Sequence, residues 1–294
     1  MKYHNMLVIA DRPEDQPDLA IQRAIAIAEP DANIMIVAFV HDAMLEDDEL
    51  NEPAKVEHYK QQLIDQRNVW LDELLAAHAS EHVRLQGEVV WSKDISDWIQ
   101  QHSKQQPYDL VIKTGNRTEN FWYTPTDWRL LRECEVPVYI GSRNAWRSQA
   151  VILATVDIVS RNAVQMELNH KVMDHAQRMS VALGATLHLA YAVPVSQLML
   201  DLEAFDKSDY LRRFQKRHED KLHAFAREYG IDKHYVHVKA GPPQKIVPRI
   251  ANDLKAELVV LGASGQRGLL GKMLGGTVEQ TMHILRTDVL SVRP

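Results

Sequence analysis

The chain has 294 residues, 45% hydrophobic and 25% charged, the make-up of a soluble globular protein long enough for about two domains. A net charge of −6 argues against a sequence-independent nucleic-acid binder, which needs a basic face, and no stretch reaches the roughly 20 apolar residues of a membrane span. The start, Met1-Lys2-Tyr3-His4-Asn5, lacks a signal-peptide core, and a single cysteine, Cys134, allows no intrachain disulfide, so a reducing, cytoplasmic setting is expected.

Met6 to Ala10 is a short apolar run ending at Asp11, the shape of a buried parallel strand. After the polar stretch Arg12 to Asp18, the residues Leu19, Ala20, Ile21, Ala24, Ile25, Ile27 and Ala28 give a helix an apolar face. Asn33 to Val40 reads as a second buried strand. An acidic connection, Glu46 to Glu52, leads into a long amphipathic helix from Pro53 to Ala79, with Pro53 suited to its first turn. Val83 to Trp91, Leu110 to Ile112 and Val136 to Ile140 are the next strands. Between them stand a helix from Ile95 to His102, capped by Asp94, and a short helix from Thr126 to Arg132. Strands alternating with helices predict an α/β fold, a parallel sheet with helices on both faces.

The order then repeats. Val151 to Val156 ends at Asp157, as the first strand ends at Asp11, and a helix from Ala163 to Leu183 precedes the strand Thr186 to Val193. A helix from Ser208 to Tyr229, the strand Tyr235 to Lys239, and a helix from Gly241 to Leu254 follow. Leu258 to Leu261, a Gly-rich loop, a helix from Thr277 to Leu285 and the strand Val289 to Val292 complete the copy. A period of about 145 residues is a duplicated domain rather than a solenoid. The expected domains are residues 1–142 and 150–294, joined by the polar stretch Ser142 to Gln149 around Trp146.

The most informative run is the Gly-rich loop. The strand Leu258 to Leu261 enters Gly262-Ala263-Ser264-Gly265, then a basic stretch with Arg267 and Lys272, and Gly275-Gly276-Thr277 opens a helix. Glycines let a backbone approach a ligand, and the N–H groups of a helix start favour an anion. The spacing is not a P-loop, because Gln266 stands where its first Gly belongs and Met273 where its hydroxyl belongs; nor is it the dinucleotide pattern. A strand-to-helix turn whose glycines serve geometry alone is the competing reading.

Two copies, an Asp ending each first strand and this Gly spacing resemble the tandem universal stress proteins over essentially the full length. The stretch Thr124-Pro125-Thr126-Asp127-Trp128 with Leu130-Leu131-Arg132, Asn5-Met6-Leu7-Val8 and the Val69-Trp70 region are similar to the E-type tandem members of gamma-proteobacteria. The resemblance implies two five-stranded parallel-sheet α/β sandwiches of the adenine nucleotide alpha hydrolase-like fold, related by a pseudo-two-fold. Their last strands, Val136 to Ile140 and Val289 to Val292, would pair within the chain. It also implies a cytoplasmic stress-response protein that binds rather than turns over. Its partners would be proteins the sequence does not name, with a homodimer of whole chains among them and neither nucleic acid nor membrane. In nucleotide-binding members, the residue matching Asp157 bonds the adenine, that matching Ala192 covers the base, and that matching Gly262 lies at the ribose. Gly265, Gly275 and a following hydroxyl hold the phosphates, which makes ATP, with Mg2+, the implied ligand of the second half. The family hydroxyl position is Gly276 here, and the hydroxyl arrives at Thr277, where a helix starting one residue later could use it as a cap.

The first half departs further. Its loop, Lys113 to Tyr123, keeps one glycine, Gly115, and carries Phe121, Trp122 and Tyr123, so it is expected to bind no nucleotide. Asp157 is either a ligand contact at a strand end or a loop-solvating carboxylate; for Asp11 the second reading is preferred. Arg267 and Lys272 are either phosphate contacts or ordinary exposed cations. Fourteen histidines invite a metal, but His218, Glu219 and His223, or His170 and His175, form no zinc pattern, and solvated helix faces are the expectation. Neither Cys134 nor Ser264 has a base that the sequence can name, so no catalytic residue is assigned. Two alternatives stay open: a slow ATP hydrolase on the same fold, and a nucleotide-free module whose apolar stretch Leu198, Met199, Leu200, Leu202 and Phe205 lids a lipid-like ligand or packs on the sheet.

Overall fold

The structure, a computed structural model, describes residues 3–13, 18–46, 52–115, 125–147, 149–160, 162–193, 207–263 and 276–294. It divides into two compact units, which meet in the chain at Arg143 and Asn144.

The first unit alternates strand and helix: β1 (Tyr3–Ile9), α1 (Leu19–Ile27), β2 (Ala28–Val40), α2 (Pro53–Ala77), β3 (Val83–Trp91), α3 (Ile95–Gln105), β4 (Leu110–Thr114), α4 (Pro125–Glu133) and β5 (Val138–Gly141). Its sheet runs β3-β2-β1-β4-β5, every pairing parallel. Met6, Leu7, Val8 and Ile9 are buried without alternation because helices cover both faces of this central strand. α1 covers one face with Ala20, Ile21, Ala24 and Ile27, and Asp94 caps α3 by accepting the Asp97 N–H at 3.0 Å. Several boundaries move by two or three residues from expectation, and the largest shift is in β2, which begins at Ala28 rather than Asn33. Tyr3 pairs with Ala28, the register shifts before Asn5 meets Asn33, and within the intervening residues Asp31 takes a left-handed φ of 61°. The interruption is thus absorbed as a bulge within the strand.

The second unit repeats the plan: β6 (Val151–Thr155), α5 (Ala163–Leu183), β7 (Thr186–Val193), α6 (Lys207–Glu228), β8 (Val236–Ala240), α7 (Pro243–Asp253), β9 (Leu258–Gly262), α8 (Gly276–Ile284) and β10 (Asp288–Val292). Its strands lie in the order β8-β7-β6-β9-β10, again parallel throughout. The duplication extends to single bonds. Asp109 N–H donates to Asn5 O at 2.8 Å as Glu257 N–H does to Val151 O at 2.8 Å. α5 packs through Leu168, Val172, Met173, Ala176 and Met179 and ends where Gly184 adopts φ 59°, a left-handed turn that suits glycine.

The stretch expected as a linker is tied to the second unit. Asn144 donates to Arg286 O at 3.3 Å, Trp146 Nε1 to Asp288 Oδ2 at 2.7 Å, and Arg147 Nε lies 3.2 Å from Glu257 Oε1. No helix among the described residues is long and apolar enough to cross a membrane.

Candidate functional site

Each sheet reverses its winding between its first and fourth strands. At such a switch point neighbouring connections leave in opposite directions, opening a crevice beyond the carboxyl ends where doubly wound sheets hold ligands. In the second unit these strands are β6 and β9. Thr155, the last residue of β6, stands opposite Ala190 of β7 and Leu261 of β9. The same register, carried two residues on, sets Asp157 level with Ala192, and Gly262 is the last residue of β9. Three of the expected site residues, Asp157, Ala192 and Gly262, therefore share one sheet edge. Gly276 and Thr277 are the first two residues of α8, so Thr277 stands inside the helix rather than at its cap. Gly265 and Gly275 lie outside the described residues, as do Ser264, Arg267, Lys272, Phe121, Trp122, Tyr123 and the apolar stretch from Leu198 to Phe205.

Asp157 is exposed, and its Oδ1 accepts the N–H groups of Val159 at 3.1 Å and Ser160 at 3.4 Å. No other hydrogen bond to this carboxylate is made among the described residues, so Oδ2 keeps its acceptor capacity. The backbone of Asp157 is held from α5. Its N–H donates to Asn169 Oδ1 at 3.0 Å, and its carbonyl accepts from Asn169 Nδ2 at 2.7 Å. Asn169 is only 1% exposed, and Gln165 Nε2 donates to its Oδ1 at 3.2 Å. Beside this edge the buried Tyr191 has its phenol pKa pushed well up, by burial first and by the Asp157 carboxylate second, so the phenol keeps its proton.

Gly262 has a structural reason to be glycine. A Cβ there would come within 2.8 Å of the Leu168 side chain, so any other residue at the end of β9 would force Leu168 of α5 to move. The family-implied place at a ribose and this packing role are compatible, and the packing role holds without any ligand.

The first unit is different at each matching place. Ile9 stands opposite Val37 and Lys113, so Asp11, Phe39 and Thr114 take the places of Asp157, Ala192 and Gly262. Asp11 is 5% exposed, in contrast to Asp157. Phe39 packs edge-to-face on Trp98 with ring centroids 5.3 Å apart. Lys113 Nζ lies 3.0 Å from Asp127 Oδ1 of α4 and donates to Thr114 O at 2.7 Å. A buried ion pair thus stands in the strand that leads to the loop.

Among the remaining candidates, His218 is buried with its ring 5.9 Å from that of Tyr191, and Cys134 is buried. No group of three or more His, Cys, Asp or Glu able to hold a metal occurs among the described residues. Sequence reasoning missed Asn169 and the Lys113–Asp127 pair. The signal for each was a polar residue out of place, an amide within the apolar stripe of α5 and a lysine closing an apolar strand.

The family model for the universal stress protein family matches residues 2–140 and again 163–293. The chain is 31% identical over 301 residues to universal stress protein E of Escherichia coli K12, covering 99% of this chain and 94% of that protein. It is 28% identical over 305 residues to the universal stress protein E homolog of Haemophilus influenzae, covering 100% of this chain and 98% of that one. In fold it is similar to a functionally unknown protein from Pseudomonas aeruginosa PAO1, with a TM-score of 0.72 at 23% identity over 99% of this chain and 93% of that chain. A universal stress protein from Archaeoglobus fulgidus gives a TM-score of 0.66 at 17% identity, over 98% and 96%. With two matched segments, each built on a five-stranded parallel sheet, the chain belongs to the universal stress protein family as a tandem member.

Proposed function

We propose that the second unit binds an adenine nucleotide, ATP with Mg2+, at the carboxyl edge of its sheet, and that the protein acts as a binding module in the stress response. Family membership supports the stress-response role. The observation that carries the nucleotide reading is the exposed Asp157 two residues beyond Thr155 at the carboxyl end of β6, with the small Ala192 two residues beyond Ala190, the residue that Thr155 faces on β7. An ionised carboxylate is an acceptor only, and Oδ2 suits a donor such as the amino group of adenine. Ala192 leaves room for a base where the first unit has Phe39, and the bulk of Phe39 packed on Trp98, with Asp11 buried, supports an asymmetric chain with one site rather than two. The loop from Gly262 to Thr277 would hold the phosphates through backbone N–H groups and the start of α8.

Isothermal titration with ATP and Mg2+ tests this. One site per chain is expected, weakened at least about tenfold in Asp157→Ala, because each factor of ten is about 1.4 kcal/mol, the worth of one good hydrogen bond. Two equal sites per chain, or heat unaffected by Asp157→Ala, would contradict it.

A further inference from the structure

Asn169 is a polar side chain in the wrong company. It lies on the buried stripe of α5 between Leu168 and Val172, almost wholly removed from solvent, where an unpaired amide is costly. Both ends of its amide hold one residue's backbone: its Oδ1 takes the Asp157 N–H at 3.0 Å and its Nδ2 gives to the Asp157 carbonyl at 2.7 Å. This two-bond grip mimics the pairing of a neighbouring strand, at the point where β6 has ended and no strand continues. A backbone held at both its donor and its acceptor cannot rotate its peptide planes without breaking a buried bond. The Oδ1 of Asp157, bonded to Val159 and Ser160 N–H groups, fixes the side chain in turn. Oδ2 is left in one direction, set from inside the protein by an amide that does not itself reach solvent.

We infer that Asn169 is the positioning residue of the base site: by locking the Asp157 backbone it aims the Asp157 carboxylate at the amino group of adenine and so sets the preference for an amino-bearing base. The inference rests on the adenine-nucleotide reading above. Gln165, one turn earlier on α5, donates to Asn169 Oδ1 at 3.2 Å and holds the amide in the orientation that pairs donor with acceptor. A hydrophobic residue of the same size would fill the space and keep the helix packed, yet would release the aim.

The test compares ATP with ITP, whose base carries a carbonyl in place of the amino group and so presents an acceptor to the carboxylate. Dissociation constants for both are measured by titration on the full chain as wild type, Asn169→Leu, Asn169→Asp and Asp157→Ala. Asn169→Asp keeps the acceptor for the Asp157 N–H but loses the donor to its carbonyl, so it covers the case in which Asn169→Leu fails to fold. The expected result is ATP binding weakened about tenfold with ITP binding unchanged, so that the ATP-to-ITP ratio collapses toward that of Asp157→Ala. A merely structural asparagine would lower the melting temperature and leave the ratio as in wild type, and that result overturns the inference while leaving the nucleotide site intact. Wild-type protein that binds no ATP overturns the nucleotide reading, and this inference with it.

Discussion

Lys113 Nζ lies 3.0 Å from Asp127 Oδ1 with both side chains almost wholly buried, and the pair bridges the end of β4 to α4. In the second unit the position of Lys113 is Leu261, opposite Thr155 as Lys113 is opposite Ile9. The first unit has thus exchanged an apolar strand end for a buried charge and its counter-charge. Removing one partner leaves the other uncompensated, so Asp127→Asn is expected to cost about 3–5 kcal/mol in chemical denaturation. The double variant Lys113→Leu with Asp127→Val restores the apolar form and should cost much less.

His188 Nδ1 and His237 Nε2 lie 2.8 Å apart on neighbouring strands, with the rings stacked and Tyr235 edge-on to His188. Burial, then the His237 ring, lowers the His188 pKa to about 4; burial, then Lys239, lowers that of His237. Between the unfolded value near 6.5 and about 4, the unfolded chain binds the proton that native His188 refuses. Stability is therefore highest above about pH 6.5 and falls as the pH drops toward 4. The expected loss is about 1–2 kcal/mol after allowance for solvent screening of the partly accessible pair. Denaturation between pH 7 and pH 4 should show this slope, flattened in His188→Leu.

Trp146 donates its indole N–H to Asp288, a carboxylate 1% exposed, so the segment between the units is anchored at the start of β10. Trp146→Phe keeps an aromatic ring, though a smaller one, and deletes the indole donor, with an expected loss of about 1–3 kcal/mol in thermal unfolding. Stability equal to wild type would show that the bond contributes nothing.

Gly262→Ala places a methyl group 2.8 Å from Leu168 and should destabilise by about 1–3 kcal/mol without any ligand. Combining it with Leu168→Ala should recover part of the clash term, measured by a double-mutant cycle. A cost that appears only with ATP present would instead assign the glycine to the ligand.

The strands and most helices were legible because burial on both faces leaves unbroken apolar runs, as in Met6 to Ile9 and Leu258 to Leu261. The helix Ala163–Leu183 and the strand Thr186–Val193 were readable to the residue, since Asn162 caps one end and Gly184 turns the other. The start of β2 was hidden because Pro30 and Asp31 carry turn chemistry that the sheet accommodates with a bulge. At the site, the Asp157 position followed from its place after a strand. Its grip by Asn169 did not, because a contact twelve residues away across a helix turn has no periodicity. The Lys113–Asp127 pair was equally hidden: charge is visible in a sequence, but burial of the charge is a property of the packed sheet and helix.

The measurement that bears most directly on the central claim is a thermal-shift titration of the full chain with ATP and Mg2+, run beside Asp157→Ala and Asp11→Ala. A ligand that binds only the folded protein stabilises it by about 2.7 kcal/mol at a hundred times its Kd, a rise of roughly 5–10 °C for a domain of this size. The account predicts a dose-dependent rise in wild type and in Asp11→Ala, measured from each protein's own baseline, and in Asp157→Ala a rise cut to about half or less at the same ATP concentration. No shift in wild type at millimolar ATP, or an equal shift in Asp157→Ala, would contradict it.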